Sequence, residues 1–436
     1  MAQKLSERPR PLIVVVGAGL GGLAAAIALL LTDRYAVLVL ETTTLLKEIG
    51  AGIQLSPNCT RLLTRWGVTK YLESKVVVPT FSKVCRWEDG ILLSEQHTPE
   101  ESTQRRFGAP YWHVHRADFH AALLQRYAEL GGGIRTGAHV VDAGVGTDTV
   151  RPWVKLEAGE VLECDFIVGA DGLRSKIRER VVFGDADLQS TGDYAFRFTI
   201  PTQEIKEDIV LAELARVPGL KMWWGPDKHI VTYQISGGTL LNVVVLLPDD
   251  GGLKNESKAL GDIEEMKAAF EGWCSQVQCL LSRASPTDLT KWKLMDLAPL
   301  PMWNNGSCAL VGDACHPMLP YLAQGASQAV EDAAALAVCL GGLHEDPPKA
   351  AEMYTKLRHE RATKVQSSAR DQRLRNHLPD GPAQRARDAE LLSATAALPW
   401  KWESTGSEPA KQWIDGLYTY DAEEHARAML QTAVTI

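Results

Sequence analysis

Residues 12–22 read Leu12-Ile13-Val14-Val15-Val16-Gly17-Ala18-Gly19-Leu20-Gly21-Gly22, and residues 36–41 read Ala36-Val37-Leu38-Val39-Leu40-Glu41. The opening run is continuous, apolar and rich in β-branched residues, the pattern of a strand covered on both faces. An alanine- and leucine-rich stretch from about Gly21 to Leu31 predicts a helix, and Ala36 to Leu40 a second buried strand. Gly17, Gly19 and Gly22 thus fill a G-x-G-x-x-G turn inside a βαβ unit. Gly17 permits the tight turn, Gly19 lets backbone approach a pyrophosphate, and Gly22 allows close helix–strand packing. The helix N-terminus offers unpaired N–H groups to the anion. Glu41, ending the second strand, can accept hydrogen bonds from ribose hydroxyls. The unit predicts dinucleotide binding without separating NAD from FAD, since both present an ADP half.

Outward from this stretch, the chain is 436 residues long, with 46 basic and 54 acidic side chains and a net charge of −8. That length suggests two or three domains. A pI near 5.8 argues against a nucleic-acid partner, because no excess positive field attracts phosphates. Met1 to Pro11 holds no apolar signal core, and the longest clean apolar run, Leu23 to Leu31, is too short to span a bilayer. Eight cysteines without a CxxC pair suit neither a disulfide framework nor a zinc site. A soluble cytoplasmic protein with reduced thiols is expected. Twelve tryptophans exceed the ten tyrosines and eight phenylalanines; Trp223-Trp224 and Trp112 are the ones placed to line a flat aromatic pocket, whereas Trp400, Trp402 and Trp413 pin the C-terminal tail.

Tyr111 to Arg116 predicts a strand entering a helix near Asp118, and Val140–Val141, Val154–Leu156 and Phe166–Val168 further strands. From Tyr194 to Pro248 the pattern alternates, with a Ser236-Gly237-Gly238-Thr239 turn and no crossover helices, so a second, largely antiparallel sheet is expected. Ile263 to Ser282 reads as one helix, and Ala326 to Leu340 and Lys349 to Arg375 as others. The fold class is α/β: a Rossmann-like dinucleotide-binding domain with an inserted β-sheet domain and a C-terminal helical region. The expected division is 8–185 with 290–375 for the first domain (with small β insertions around 80–115), 186–289 for the β-sheet, and 376–436 for the helical segment. Gly131-Gly132-Gly133 follows a helix and reads as a C-cap and turn, so no second dinucleotide fingerprint appears. His113 and His115 are explained by a strand and lack a third ligand at metal-binding spacing, so no metal is expected.

Two later segments narrow the fold: Val168-Gly169-Ala170-Asp171-Gly172-Leu173-Arg174-Ser175, and Val311-Gly312-Asp313-Ala314-Cys315-His316-Pro317 continuing to Gln324-Gly325-Ala326. With the N-terminal glycines, their order and separations resemble the three fingerprints of the class A FAD-dependent monooxygenases. The similarity covers nearly the whole chain and is greatest to the salicylate-hydroxylase-like branch, including fungal natural-product enzymes. The resemblance implies FAD as cofactor, NADPH or NADH as co-substrate, and oxygen insertion from O2 into a phenol, salicylate or indole through a C4a-hydroperoxyflavin. It further implies that Arg116, Asp171 and Asp313 bind FAD, and that Gly50-Ala51-Gly52-Ile53, Gly325 and Ala326 approach the flavin. An FAD oxidoreductase without oxygen insertion and a non-catalytic flavin protein remain as alternatives. A flavin-dependent halogenase does not fit, since Trp400-Lys401-Trp402 continues as Glu403-Ser404.

On the second sheet, Arg197 alternates with Phe196 and Phe198 and so points away from both. The resemblance makes it a substrate anchor or catalytic group; a cross-strand salt bridge is the plainer alternative. Tyr233 occupies the place of the family's active-site tyrosine, although the usual Tyr-Pro pair reads Tyr233-Gln234 here. His229, on the same strand face, ranks behind them.

Overall fold

The computed structural model describes residues 10–46, 51–97, 100–147, 149–184, 186–249, 251, 258–393 and 410–434. Gly50, Trp400 and Trp402 lie outside them. The two opening strands form where expected, Leu12–Val16 and Ala36–Leu40, with the helix Leu20–Leu30 between them. They occupy the middle of a six-stranded sheet ordered Asn304–Asn305, Cys308–Leu310, Phe166–Gly169, Leu12–Val16, Ala36–Leu40, Gly133–Arg135. All its pairings are parallel except the outermost, between Asn304–Asn305 and Cys308–Leu310. The helices Leu20–Leu30 and Gly325–Gly342 bury alanine-rich faces in the core around this sheet; the first carries no polar side chain, and the second buries its polar residues Ser327, Gln328, Glu331 and Asp332 as well.

The second sheet has eight strands, ordered Lys258–Leu260, Thr290–Leu297, Leu188–Pro201, Leu240–Pro248, Lys228–Ile235, Gly219–Gly225, Phe81–Arg86, Leu92–His97. Only the Gly219–Gly225 and Phe81–Arg86 pair is parallel. Here the structure departs from the expected division. Thr290–Leu297 pairs antiparallel with Leu188–Pro201, Arg197 opposite Thr290, so the sheet continues past the boundary at 289/290. The small β insertions expected from the first domain around 80–115 include two strands of this sheet, Phe81–Arg86 and Leu92–His97. Two short helices, Thr202–Ile205 and Ala212–Arg216, interrupt the block read as alternating β segments. The single helix expected over 263–282 is two, Ile263–Ala269 and Ser275–Leu281, broken where Gly272 takes a φ of +82°.

One face of the large sheet sends Phe196, Phe198 and Trp223 into a core with Phe270 and Trp273. The other face turns toward the nucleotide half, and there the alternation of the Leu188–Pro201 strand delivers Arg197. The short strand Gly52–Leu55, paired antiparallel with Trp112–His115, lies between the two sheets. Gly52 N donates to Asn242 Oδ1 on the large sheet at 2.7 Å, tying the halves together.

Candidate active site

A cavity of about 400 Å³ lies between the sheets. Gly19, Leu20 and Gly21 of the first glycine turn line one side, with Ala170, Gly172, Asp313, Gly325 and Ala326. Arg197, His229 and Tyr233 face them from the large sheet, among Leu220, Met222 and Val244. Arg116 and Gly52 complete the junction. Residues expected from three distant motifs therefore converge on one space.

Three observations test whether a dinucleotide fits the glycine side. A Cβ added at Gly22 would lie 2.0 Å from the carbonyl oxygen of Gly17, and one at Gly17 2.4 Å from that of Ala170, so neither position admits a side chain. A Cβ on Gly19, Gly172 or Gly325 would meet nothing within 4 Å, so backbone is bared toward open space. The helices Leu20–Leu30 and Gly325–Gly342 both begin without a side-chain cap, leaving first-turn amides available to an anion. The pyrophosphate fits the first helix, and the second suits the electron-rich edge of a flavin.

Glu41 holds the turn: its carboxylate accepts from Ala18 N at 2.9 Å and Thr43 N at 2.8 Å. Its oxygens retain lone pairs for a hydroxyl. Asp313 is exposed into the cavity. Enclosure by protein raises its pKa, against the pull of His316 and Arg116. Burial lowers the Arg116 pKa, with Asp313 opposing and Arg197 reinforcing the shift. Asp171 is placed differently from Asp313. Its carboxylate accepts from Ser175 Oγ at 2.5 Å and Lys176 N at 2.6 Å. It shapes the loop that presents Ala170 and Gly172, while its own side chain is not among those lining the cavity.

Arg197 is the electrostatic anomaly of the opposite wall. Its Nε is buried with no hydrogen-bond partner, and the Trp292 ring lies 6.0 Å away. Burial lowers its pKa, with Tyr233 opposing. A cross-strand salt bridge, the plain alternative, is not present among the described residues. Tyr233 is buried, which raises its pKa, while Arg197 and a hydrogen bond with Gln54 pull it down. Gln54 Oε1 also accepts from Tyr111 O–H at 2.5 Å.

Three expectations change. Trp223 points into the core on the far face, and Trp224 lies beneath the Arg387 guanidinium, 5.3 Å from its ring; neither lines the cavity. Leu220 and Met222, earlier on the same strand, take that place. Trp112 is also absent from the wall. His113 is a core residue against the Tyr233 ring, its pKa pushed down to about 3 by burial. His115 caps the following helix, its Nδ1 accepting from Ala117 N. Sequence reasoning missed Gln54, Asn242 and Asn376, polar residues whose only signal is position.

Cys315, His316 and Asp332 cluster beneath the Asp313 loop. Asp332 is already engaged: its carboxylate accepts from His316 Nε2 at 2.5 Å, Gly312 N at 2.9 Å and Arg358 Nε at 2.9 Å. The cluster is a buried ionic brace under the loop.

A dinucleotide cradle facing a mostly apolar chamber, into which Arg197 projects with its Nε unpartnered, suits an oxidoreductase that processes small organic rings. The model of a family described as FAD binding domain matches residues 11–369. The FAD-dependent monooxygenase OpS4 of Beauveria bassiana (strain ARSEF 2860) is 40% identical over 421 residues, covering 94% of this chain and 95% of its own. The 6-hydroxynicotinate 3-monooxygenase of Pseudomonas fluorescens is 35% identical over 377 residues, 84% and 92% of the two chains. A solved salicylate hydroxylase substrate complex superimposes with a TM-score of 0.77 at 25% identity, covering 96% of this chain and 97% of that one. The chain belongs to this FAD-binding family and is a class A FAD-dependent aromatic monooxygenase. No described helix is long and apolar enough to cross a membrane.

Proposed function

We propose that the enzyme adds one oxygen atom of O2 to an electron-rich aromatic ring that carries both a hydroxyl and an anionic group, with NADPH or NADH as electron donor, in secondary metabolism. Arg197 carries this reading. A buried guanidinium with an unpartnered Nε gains its counter-charge from whatever enters the cavity. The names of relatives agree: 6-hydroxynicotinate and 3-hydroxybenzoate each join a ring hydroxyl to a carboxylate.

FAD, when bound, supplies the electron transfer and oxygen activation. The protein's part is placement. Amides at Gly19 to Gly21 receive the pyrophosphate, Glu41 and Asp313 receive sugar and ribityl hydroxyls, and Arg116 and Gly52 border the ring system. Gly325 and Ala326 direct a helix N-terminus at it. Arg197 orients the substrate, Tyr233 steadies the ring hydroxyl, and Leu220, Met222 and Val244 exclude water. Eight cysteines, all free thiols and seven of them buried, support placement in the reducing cytoplasm.

The test is the visible spectrum of the purified protein, followed by NADPH and NADH oxidation with salicylate, 6-hydroxynicotinate, simple phenols and indole. The expected result is a flavin spectrum, oxidation stimulated by a hydroxylated aromatic acid, and a product heavier by one oxygen atom. Stimulation by neutral indole but by no aromatic acid overturns the assignment of Arg197.

A further inference from the structure

Behind the cavity wall stands a second imidazole. His229, on the strand Lys228–Ile235, lines the cavity, and its Nδ1 lies 2.7 Å from Nε2 of His377. His377 is the C-cap of the thirty-residue helix Pro347–Asn376. Its amide donates to the Arg373 carbonyl at 3.1 Å and its carbonyl accepts from the Asp227 amide at 3.2 Å, so its backbone is fixed on both sides. The Tyr321 ring packs against both imidazoles, at 5.5 Å from His229 and 5.6 Å from His377. Tyr321 O–H is held by Asp193, which Arg373 also binds. The pair is caged.

Burial keeps both rings neutral. It pushes His377 down to about 3, with Arg373 and Arg387 acting in the same direction. His229 is also lowered by burial, with His377 reinforcing and Asp193 opposing. Two neutral imidazoles facing through one nitrogen each share a single proton. With that proton on His229 Nδ1, the His229 Nε2 lone pair is offered to the cavity as a base. With it on His377 Nε2, His229 Nε2 carries a proton and is a donor. The second ring therefore sets what the first presents.

We infer that His229 and His377 form a two-imidazole relay that takes the proton from the ring hydroxyl of the aromatic substrate, His229 touching the substrate and His377 acting as the positioning residue. The inference rests on the hydroxylase reading above. The substrate O–H bond breaks as its proton bonds to His229 Nε2; the His229 Nδ1 proton passes to His377 Nε2; and the His377 Nδ1 proton leaves to water, His377 being 7% exposed. The sum is a phenolate and one released proton, with both imidazoles neutral and their tautomers exchanged. Nothing is oxidised or reduced. Protonation of the product oxygen along the reverse path restores the starting state.

The surroundings suit a passing charge rather than a resting one. The helix C-terminus favours a cation at His377, and Asp193 favours one at His229, whereas Arg373 and Arg387 oppose it. The phenolate left behind faces a cavity whose cation, Arg197, has a donor to spare.

The test uses FAD-loaded wild type, His377→Phe and His377→Gln, with 4-nitrophenol as a probe whose visible absorbance reports its ionisation. Wild type is expected to bind it as the phenolate, its apparent pKa about one unit below the free value. Both variants are expected to lose that shift, a roughly tenfold lower ratio of phenolate to phenol, with FAD content unchanged. Nitrogen NMR of labelled histidines gives a readout independent of turnover: wild type shows a ring proton shared between His229 and His377, and His377→Phe leaves His229 as a fixed tautomer. Equal probe ionisation in wild type and both variants, binding of the neutral phenol only, no binding at all, or a fixed His229 tautomer in wild type would overturn the relay. Wild type that holds no FAD defeats the hydroxylase reading instead, and the NMR result still judges the pair.

Discussion

Replacing Arg197 with methionine moves stability and binding in opposite directions. In the ligand-free holoenzyme the guanidinium leaves a buried Nε without a partner, and such a donor costs about 1–3 kcal/mol. The contact with Trp292, at 6.0 Å, returns about 0.5–1 kcal/mol. Methionine keeps much of the aliphatic stem, so Arg197→Met is expected to stabilise the empty enzyme by about 0–2 kcal/mol. At about 2–4 °C per kcal/mol, the melting temperature stays level or rises by a few degrees. Salicylate, whose carboxylate would pair with the guanidinium, should lose about 1.5–3 kcal/mol of binding, a roughly 10- to 150-fold rise in Kd. Thermal unfolding followed by fluorescence measures the first quantity, and perturbation of the flavin absorbance by salicylate the second. A variant that melts several degrees lower and binds salicylate as tightly as wild type refutes the reasoning, because Arg197 would then be a structural residue.

Gly52→Ala places a Cβ 2.5 Å from the Tyr233 ring and 2.9 Å from the Asn242 amide carbon; the overlap is expected to cost about 1–3 kcal/mol, and Tyr233→Leu in the same chain should recover part of it in a melting assay. Asp332 gives the fold an acid limit. Burial alone would raise its pKa, but His316, Arg358 and the Gly312 amide bring it from 3.8 down to about 2. A depressed folded pKa means the stabilisation, about 2 kcal/mol, is complete above pH 3.8 and is lost as pH falls toward 2. The slope of urea stability against pH in that window should therefore be shallower in Asp332→Asn than in wild type.

The nucleotide half is legible because its signals are local. Five apolar residues, three glycines and an acid at fixed spacing constrain Leu12 to Glu41 without help from the rest of the chain, and the strand bounds fall where the pattern puts them. Arg197 is legible for a similar reason: alternation on one strand assigns its face. What failed depended on distance in sequence. Nothing within Thr290–Leu297 tells that it pairs with Leu188–Pro201, since that choice is made across the sheet. Alternation also puts Trp224 on the face of Leu220 and Met222 but cannot show that Arg387, far along the chain, covers it. His377 was out of reach for the same reason. A histidine ending a long helix reads as an ordinary cap until the fold brings His229 against it.

The large sheet, drawn from residues 81–97, 188–260 and 290–297, has a further consequence for how the molecule comes into being. The strand Phe81–Arg86 has no partner on its parallel side until Gly219–Gly225 is made, and Leu188–Pro201 stays open on one edge until Thr290–Leu297 follows. The nucleotide sheet likewise waits for Cys308–Leu310. At about 5–20 residues per second, the emerging polypeptide carries open apolar strand edges for many seconds before either sheet can close. Non-local pairing of this kind slows folding and exposes the chain to aggregation. Both walls of the cavity are thus completed late and nearly together, so the binding cleft and the folded state arrive as one event.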